Sequence, residues 1–564
     1  MNDPPSGLRA LLAELKRRRV FRVAVVYAAV ALVVVEAADP VFPALLLPSW
    51  AYPLLVVFAL SGFPIALVLA WAFEVTPQGV RRTEPARAEP AEAASSTPPA
   101  VAQEVEAKSI AVLPFANLSD DPENEYFSDG MTEEIINALA QLRDLRVAAR
   151  TSCFAFKGKT PDIAEVGAKL KVATVLEGSV RKAGNRLRIT AQLVNVADGY
   201  HLWSERYDRE MEDVFAIQDE IACAIADRMD VALGRDAGEP LVTPPTENLE
   251  AYDSYLKGRF FVNQVFEEYL RKGLECFQQA LACDPQYALA HAGIADAYNF
   301  LGEAGVLRPN ETKPKAREAA LRALELDERL AEAHVALGWL NWAYDFEWSD
   351  AERHFLRALE LKPDLADAHT RFGLFLFSMG RSEESLAELR RGVELDPLGQ
   401  LGRTWLGEAL AFLGRFPDSI DQLRSALELY PTSWHANHIL GLGYRLNSSY
   451  PEAIEALQTA MALAGRHPWS LAELAVTYAA SGGEAQAGAI YEELVARARG
   501  EFVPPTAVAF VSAAVGSKDE AFEWLERAYE ERDPLLVWVK ILPHFDPLRD
   551  DPRFDVLLEK MRLK

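Results

Sequence analysis

Residues 363–397 read PDLADAHTRFGLFLFSMGRSEESLAELRRGVELDP. The stretch opens on Pro363 and closes on Pro397, and Pro431 follows at the same interval of 34 residues. Five residues before these prolines stand Ala358, Gly392 and Ala426. The same slot holds Ala280 before Pro285, and Ala323 before Glu328, which takes the place of the proline. Ten residues after the anchors come Ala295, Gly338, Gly373, Gly407 and Gly441. Small side chains let two helices approach closely, and a proline cannot continue a helix. Five units keep this register, so the pattern predicts a series of helix pairs.

A 34-residue helix-turn-helix unit with small residues at these offsets is the tetratricopeptide signature. Outward from it the units loosen: 288–328 carries an insertion around Gly302 to Pro314, and 469–500 and 504–533 read as degenerate pairs. About eight pairs are expected over 250–534, with 535–564 as a C-terminal cap. One pair alone cannot bury its apolar face, so the units must stack. Stacking predicts a concave groove lined by each unit's first helix. By 3-4-3 spacing, Glu332, Trp339, Trp342, Asp367, Phe377, Thr404, Glu408, His438 and Arg445 share that face. Aromatics beside charges suit recognition of a protein or peptide. Trp339, Trp342 and Phe377 read equally as packing between helices. His435 and His438 have metal-ligand spacing but no third ligand in view.

Before the repeats, Ser109 to Phe115 reads as a buried strand, Thr132 to Leu142 as an amphipathic helix and Leu145 to Ala149 as a short strand. Asp162 can cap a helix running to Leu170. Val172–Arg181 and Leu187–Val196 flank Gly184-Asn185, a hairpin signal, and His201–Tyr207 makes a third strand. Asp213 to Leu233 reads as a helix. The order β-α-β-α-β-β-β-α gives a small α/β, mixed-sheet domain over 107–235. Asp120, Asp121, Asp129, Glu133 and Glu134 could hold a divalent metal. They also read as a turn and a helix cap with acidic residues in the first turn.

Ala111-Val112-Leu113-Pro114-Phe115, Phe127 to Glu134 and Leu202 to Asp208 resemble the TolB-amino-terminal-like (FlgO-like) domain. That resemblance reaches the N-terminus, where Glu14 to Arg18, Gly62 to Ala66 and Ala70 to Pro77 resemble the two-helix leader of the bacterial family that joins this domain to tetratricopeptide repeats. Relatives in this family often carry a nucleotide cyclase domain and are labelled adenylate cyclase, and some carry a winged helix ahead of the same two domains, as one-component transcription regulators do.

The residues themselves say the same of residues 1–82. Val23–Val35 and Leu54–Phe73 are apolar runs, and the second is long enough to cross a hydrocarbon core. They predict transmembrane helices at about 20–38 and 53–74. Basic residues flank the pair and are missing between them, which predicts an inner-membrane anchor with both termini cytoplasmic. The first run also reads as a cleaved signal peptide, ending near Ala37 and Ala38. Residues 83–106 and 236–249 read as linkers.

The chain has 564 residues and a net charge of −25. Residues 1–108 hold ten basic and ten acidic side chains, so the excess lies beyond them. Such a surface disfavours nucleic acid. The cysteines are Cys153, Cys223, Cys276 and Cys283, with no C-x-x-C among them, so neither a zinc cluster nor a disulfide framework is expected. No cofactor, metal or catalytic residue is predicted. The expected protein is a multidomain, membrane-tethered, cytoplasm-facing scaffold or adaptor. The alternatives are a cyclase-like enzyme, for which neither linker leaves room, and a ligand-sensing regulator acting through the α/β domain.

Overall fold

The computed structural model describes residues 73–76, 79–82 and 108–563, apart from 120, 143, 160, 233–243, 264–266 and 304–306. It falls into two units, Met1–Ala102 and Gln103–Lys564. In the first, β1 (Phe73–Thr76) pairs antiparallel with β2 (Gly79–Arg82). This corrects the expected membrane anchor. Phe73 and Glu74, placed at the end of the second span, lie in a strand, and no helix among the described residues is long and apolar enough to cross a membrane. The expected spans, 20–38 and the remainder of 53–74, lie outside the described residues. Two transmembrane helices and an inner-membrane location with cytoplasmic termini are therefore unsupported.

The second unit opens with a six-stranded mixed sheet of order β5-β3-β6-β7-β8, with β4 beside β6. The strands are β3 (Ser109–Val112), β4 (Ala116–Asn117), β5 (Arg146–Val147), β6 (Thr174–Ala183), β7 (Arg186–Asn195) and β8 (His201–Glu210). β3 lies parallel between β5 and β6, and all four of its residues are buried. A strand enclosed on both faces reads as a continuous apolar run, as SIAV does. β6, β7 and β8 form the antiparallel meander. Ala183 pairs with Arg186 across Gly184-Asn185, and Gly184 takes φ 59°, the conformation a two-residue hairpin turn demands.

Four helices cover the sheet: α1 (Glu125–Leu139), α2 (Arg150–Phe154), α3 (Ile163–Leu170) and α4 (Val214–Arg228). α3 is capped by the Asp162 carboxylate, which accepts from Ala164 N. α1 starts earlier than its apolar period suggests. A 3-10 turn at Pro122–Asn124, capped by Asp121, feeds straight into it. Asp129 is therefore a buried residue inside the helix rather than its cap.

The rest is mostly helical, a tetratricopeptide-like solenoid with eight helix pairs among the described residues. They are α5 (Leu249–Val262) with α6 (Glu267–Cys283), α7 (Ala288–Glu303) with α8 (Pro309–Leu326), and α9 (Ala331–Leu340) with α10 (Trp348–Leu361). Then come α11 (Ala366–Ser378) with α12 (Ser382–Leu395), α13 (Gln400–Phe412) with α14 (Phe416–Leu429), and α15 (Trp434–Leu446) with α16 (Tyr450–Ala464). The last are α17 (Pro468–Ala480) with α18 (Glu484–Arg497), and α19 (Pro505–Ala514) with α20 (Lys518–Glu531). Each anchor proline stands two residues after a second helix ends, at Leu361, Leu395 and Leu429.

The conserved spacing of small residues within the chain has a steric cause. A Cβ on Gly338 would lie 2.9 Å from the Phe355 ring, and one on Gly373 2.8 Å from Leu389. On Gly407 and Gly441 the distances to Leu423 and Leu457 are 2.7 and 2.6 Å. In each pair a large side chain of the second helix occupies the hollow left by the glycine. Ala280, Ala323, Ala358 and Ala426 are fully buried at the reciprocal position.

After α20 come 3-10 turns at Pro534–Trp538 and Pro543–Leu548, then α21 (Pro552–Lys560). The sequence makes this segment a cap on the last pair. It also reaches back to the early pairs: Trp348 Nε1 donates to the Met561 carbonyl at 2.9 Å, and Arg562 pairs with Glu347 at 2.8 Å. Arg308 meets Glu531 at 3.3 Å.

Candidate partner-binding face

The first helices of successive pairs, α7, α9, α11, α13, α15, α17 and α19, pack against one another, and they are the helices expected to line the inner face of the stack. Four of the nine expected groove residues are interior. Trp339, Trp342, Phe377 and Thr404 are buried. The Trp339 and Trp342 rings meet edge to face at 4.9 Å, and Trp342 Nε1 donates to Ser378 Oγ at 2.9 Å. Trp342 and Phe377 also touch the C-terminal segment, through Trp538 at 5.3 and 6.1 Å. Thr404 Oγ1 donates to the Gln400 carbonyl, back-bonding within its own helix.

The remaining five are ionisable and fall in two groups. Glu332 accepts from Lys362 Nζ at 2.6 Å. Asp367 accepts from Arg371 Nε at 2.9 Å, and Arg371 is itself buried beneath the rings of Trp339 and Phe300, 4.7 and 5.3 Å from its guanidinium. Asp296 lies 3.9 Å from Arg371. Burial pushes the nearby Glu303 carboxyl up to about 7, against the pull of Arg371, and its Oε2 has no hydrogen-bond partner among the described residues.

Arg445 belongs to a second group, with Glu473 and His544. Arg445 Nε donates to Glu473, and His544 Nε2 lies 2.7 Å from the other Glu473 oxygen and 2.8 Å from Arg445 Nη2. Burial raises the Glu473 carboxyl, but Arg445 and His544 outweigh it and hold the group well below the usual range. Glu408 has no such cation. Burial and then Glu473 push it up to about 8. His438 is driven down to about 4 by burial, and its ring lies 3.4 Å from Ser470 Oγ.

The α/β domain forms a third group by docking on the same stack. Glu133 is clamped between Arg150 at 2.7 Å and Arg259 of α5 at 2.8 Å. Burial raises it, yet the two cations bring it down to about 2. Lys182 reaches Asp253 at 2.8 Å, Tyr126 O–H donates to the same carboxylate, and Leu256 fills the space beside Gly130. Further along, Thr151 and Ser152 donate to Asp396, and Ser152 Oγ accepts from Leu398 N at 2.8 Å. The domain thus spans from the first helix pair to the turn between α12 and α13. Asp129 pairs with Lys157 at 2.5 Å, so the acidic stretch supplies ion pairs. Among the described residues no group of three or more His, Cys, Asp and Glu is placed to hold a metal.

Residues 370–433 and 405–468 match the tetratricopeptide repeat family. Residues 106–224 match the HilA/YgeH-like transcriptional regulator second domain, so the expected TolB-amino-terminal likeness is not what the comparison finds there. Over 259 residues the chain is 39% identical to a protein of Rhizobium meliloti (strain 1021) named putative adenylate cyclase 3, covering 45% of this chain and 43% of that one. Over 297 residues it is 26% identical to transcriptional regulator HilA of Salmonella typhimurium, covering 51% of each. The chain therefore spans about half the length of the curated relatives it matches. Among solved structures, YrrB, described as a TPR protein with an unusual peptide-binding site, is 23% identical with a TM-score of 0.25, covering 35% of this chain and 97% of that one. Pseudomonas aeruginosa PilF is 19% identical with a TM-score of 0.29, covering 37% and 95%. Neither matched family describes a catalytic domain. A likeness to transcriptional regulators leaves the expected exclusion of nucleic acid without support.

Proposed function

We propose that this chain is a protein-binding adaptor whose repeats take a positively charged partner segment along the inner face of the second to fourth helix pairs. The observation that supports the reading is the imbalance of charge there. Arg259 is committed to Glu133, Lys362 to Glu332 and Arg371 to Asp367. Among the described residues Asp296 then has only the longer contact to Arg371, and Glu303 has one oxygen without a partner. A lysine or arginine of a bound peptide would supply the missing donors and cation. The stretch near Trp342, Phe377 and Arg445 is already covered by the chain's own C-terminal segment, so the partner sits over Asp296, Glu303 and Asp367 instead.

Fluorescence anisotropy with labelled Lys/Arg-rich and Glu-rich peptides of equal length tests this. The basic peptides should bind the full chain, and Asp296→Asn with Glu303→Gln should weaken them by about tenfold, the loss of one charge-assisted contact. Equal binding of acidic peptides, or no change in the double variant, would refute the charge reading. The match of 106–224 to a regulator family favours a second reading, in which the α/β domain is a regulatory module that acts through its seat on the stack.

A further inference from the structure

β8 is the last strand of the sheet, ten residues long, and among the described residues its outer edge carries no neighbour. Eight of its residues are exposed, with Trp203 half-buried and Tyr207 buried. A long open edge is a template for another strand, and proteins commonly guard such edges with charge. Here the charges carry both signs: Glu205, Arg206, Asp208, Arg209 and Glu210.

From this pattern we infer that β8 pairs antiparallel with β8 of a second copy, in the register centred on Tyr207. Directly opposed residues must lie on the same face of a continuous sheet, so a symmetric pairing is centred on a residue rather than between two. Centring on Tyr207 sets Glu205 against Arg209 and Arg206 against Asp208, each twice by symmetry, and Ser204 against Glu210. Centring on Arg206 opposes arginine to arginine. Centring on Asp208 or Glu205 opposes carboxylate to carboxylate. Opposed unlike charges stabilise a cross-strand pair and like charges destabilise it, so one register is selected and its neighbours are disfavoured. Asp208 already pairs within the chain with Arg188 at 2.6 Å. The pair from Glu205 to Arg209 of the second copy therefore carries the discrimination. The surface is isologous and closes as a dimer.

Light scattering on the purified full chain after size exclusion reads the result. The expected mass is twice 62.4 kDa. Glu205→Arg and Arg209→Glu should each give the single-chain mass, because each sets like charges opposite one another twice. The double variant Glu205→Arg/Arg209→Glu restores both pairs and should recover the dimer, which separates lost pairing from misfolding. Oxidation of Ser204→Cys/Glu210→Cys should crosslink two chains, since within one strand these positions stand about 20 Å apart. A single-chain mass for the parent at every concentration would overturn the inference, and would leave the edge to a strand of another protein. A dimer indifferent to the single reversals, or a swap that fails to recover it, would overturn the register and the proposal with it.

Discussion

Replacing Glu473 with Gln tests how the C-terminal segment is held against the stack. The substitution keeps the shape of the side chain and removes its charge. Glu473 and His544 are 4% and 3% exposed and Arg445 is 9% exposed, so Arg445 would be left buried without its counter-charge. Breaking a buried pair in this way costs about 3–5 kcal/mol. Amide exchange of residues 542–545 is the suitable assay, because a stack of repeats opens locally rather than as one unit. At 1.4 kcal/mol per decade, the protection of the Leu542 and Phe545 amides should fall by about 100-fold or more. Arg466→Ala, which breaks a pair with Glu493 that is 57% and 32% exposed, is the control and should cost less than about 1 kcal/mol. The sign with pH follows from the depressed Glu473 carboxyl. Its contribution is complete above the unfolded value of about 4.3 and is lost as pH falls through the folded value. The variant should lack that acid-side loss. Equal exchange in Glu473→Gln and Arg466→Ala would refute the claim that the buried triad holds the segment down.

Three further outcomes are expected. Glu408, pushed up to about 8 by burial, favours the folded state fully below pH 4.3 and loses that contribution as pH rises through 8, so Glu408→Gln should flatten the alkaline fall in melting temperature between pH 5 and 9. Gly407→Ala places a Cβ 2.7 Å from Leu423 and should cost about 1–3 kcal/mol in urea unfolding, while Leu423→Ala in the same chain should recover part of that cost. Ser152→Ala strips the Leu398 amide of its buried acceptor, which costs about 1–3 kcal/mol, and should speed exchange at Leu398 while leaving the amides of α19 unchanged.

The repeat architecture was legible because packing repeats: each glycine ten residues past an anchor answers a large side chain on the following helix, and the period of 34 exposes both. The hairpin was legible because Gly184-Asn185 states its own turn chemistry. The start of α1 was not, because Pro122–Asn124 reads as a turn and in fact launches the helix. The α2 helix is too short to show a period. On the first helices, spacing could not separate surface from interior, since Trp342 and Phe377 meet Trp538, about 160–200 residues away in sequence. Arg371 and Glu473 were missed, although Glu473 is a lone charge within an apolar helix and Arg371 stands one turn past Asp367, patterns that signal a buried partner. The Arg259 partner of Glu133 and the Thr151 and Ser152 partners of Asp396 lie in a different domain, and no local pattern announces them.

Repeat arrays ordinarily shed structure from their ends, where the outermost unit has one neighbour. Here the contacts of Arg308 with Glu531 and of Trp348 with Met561 tie the eighth pair and the tail to the second and third. The array is thereby closed between its second and eighth pairs, so the last unit has more than one neighbour. Closing it joins residues more than 200 positions apart, which raises contact order and should slow folding relative to an open array of equal length. Deleting the tail would then weaken the beginning of the stack as well as its end.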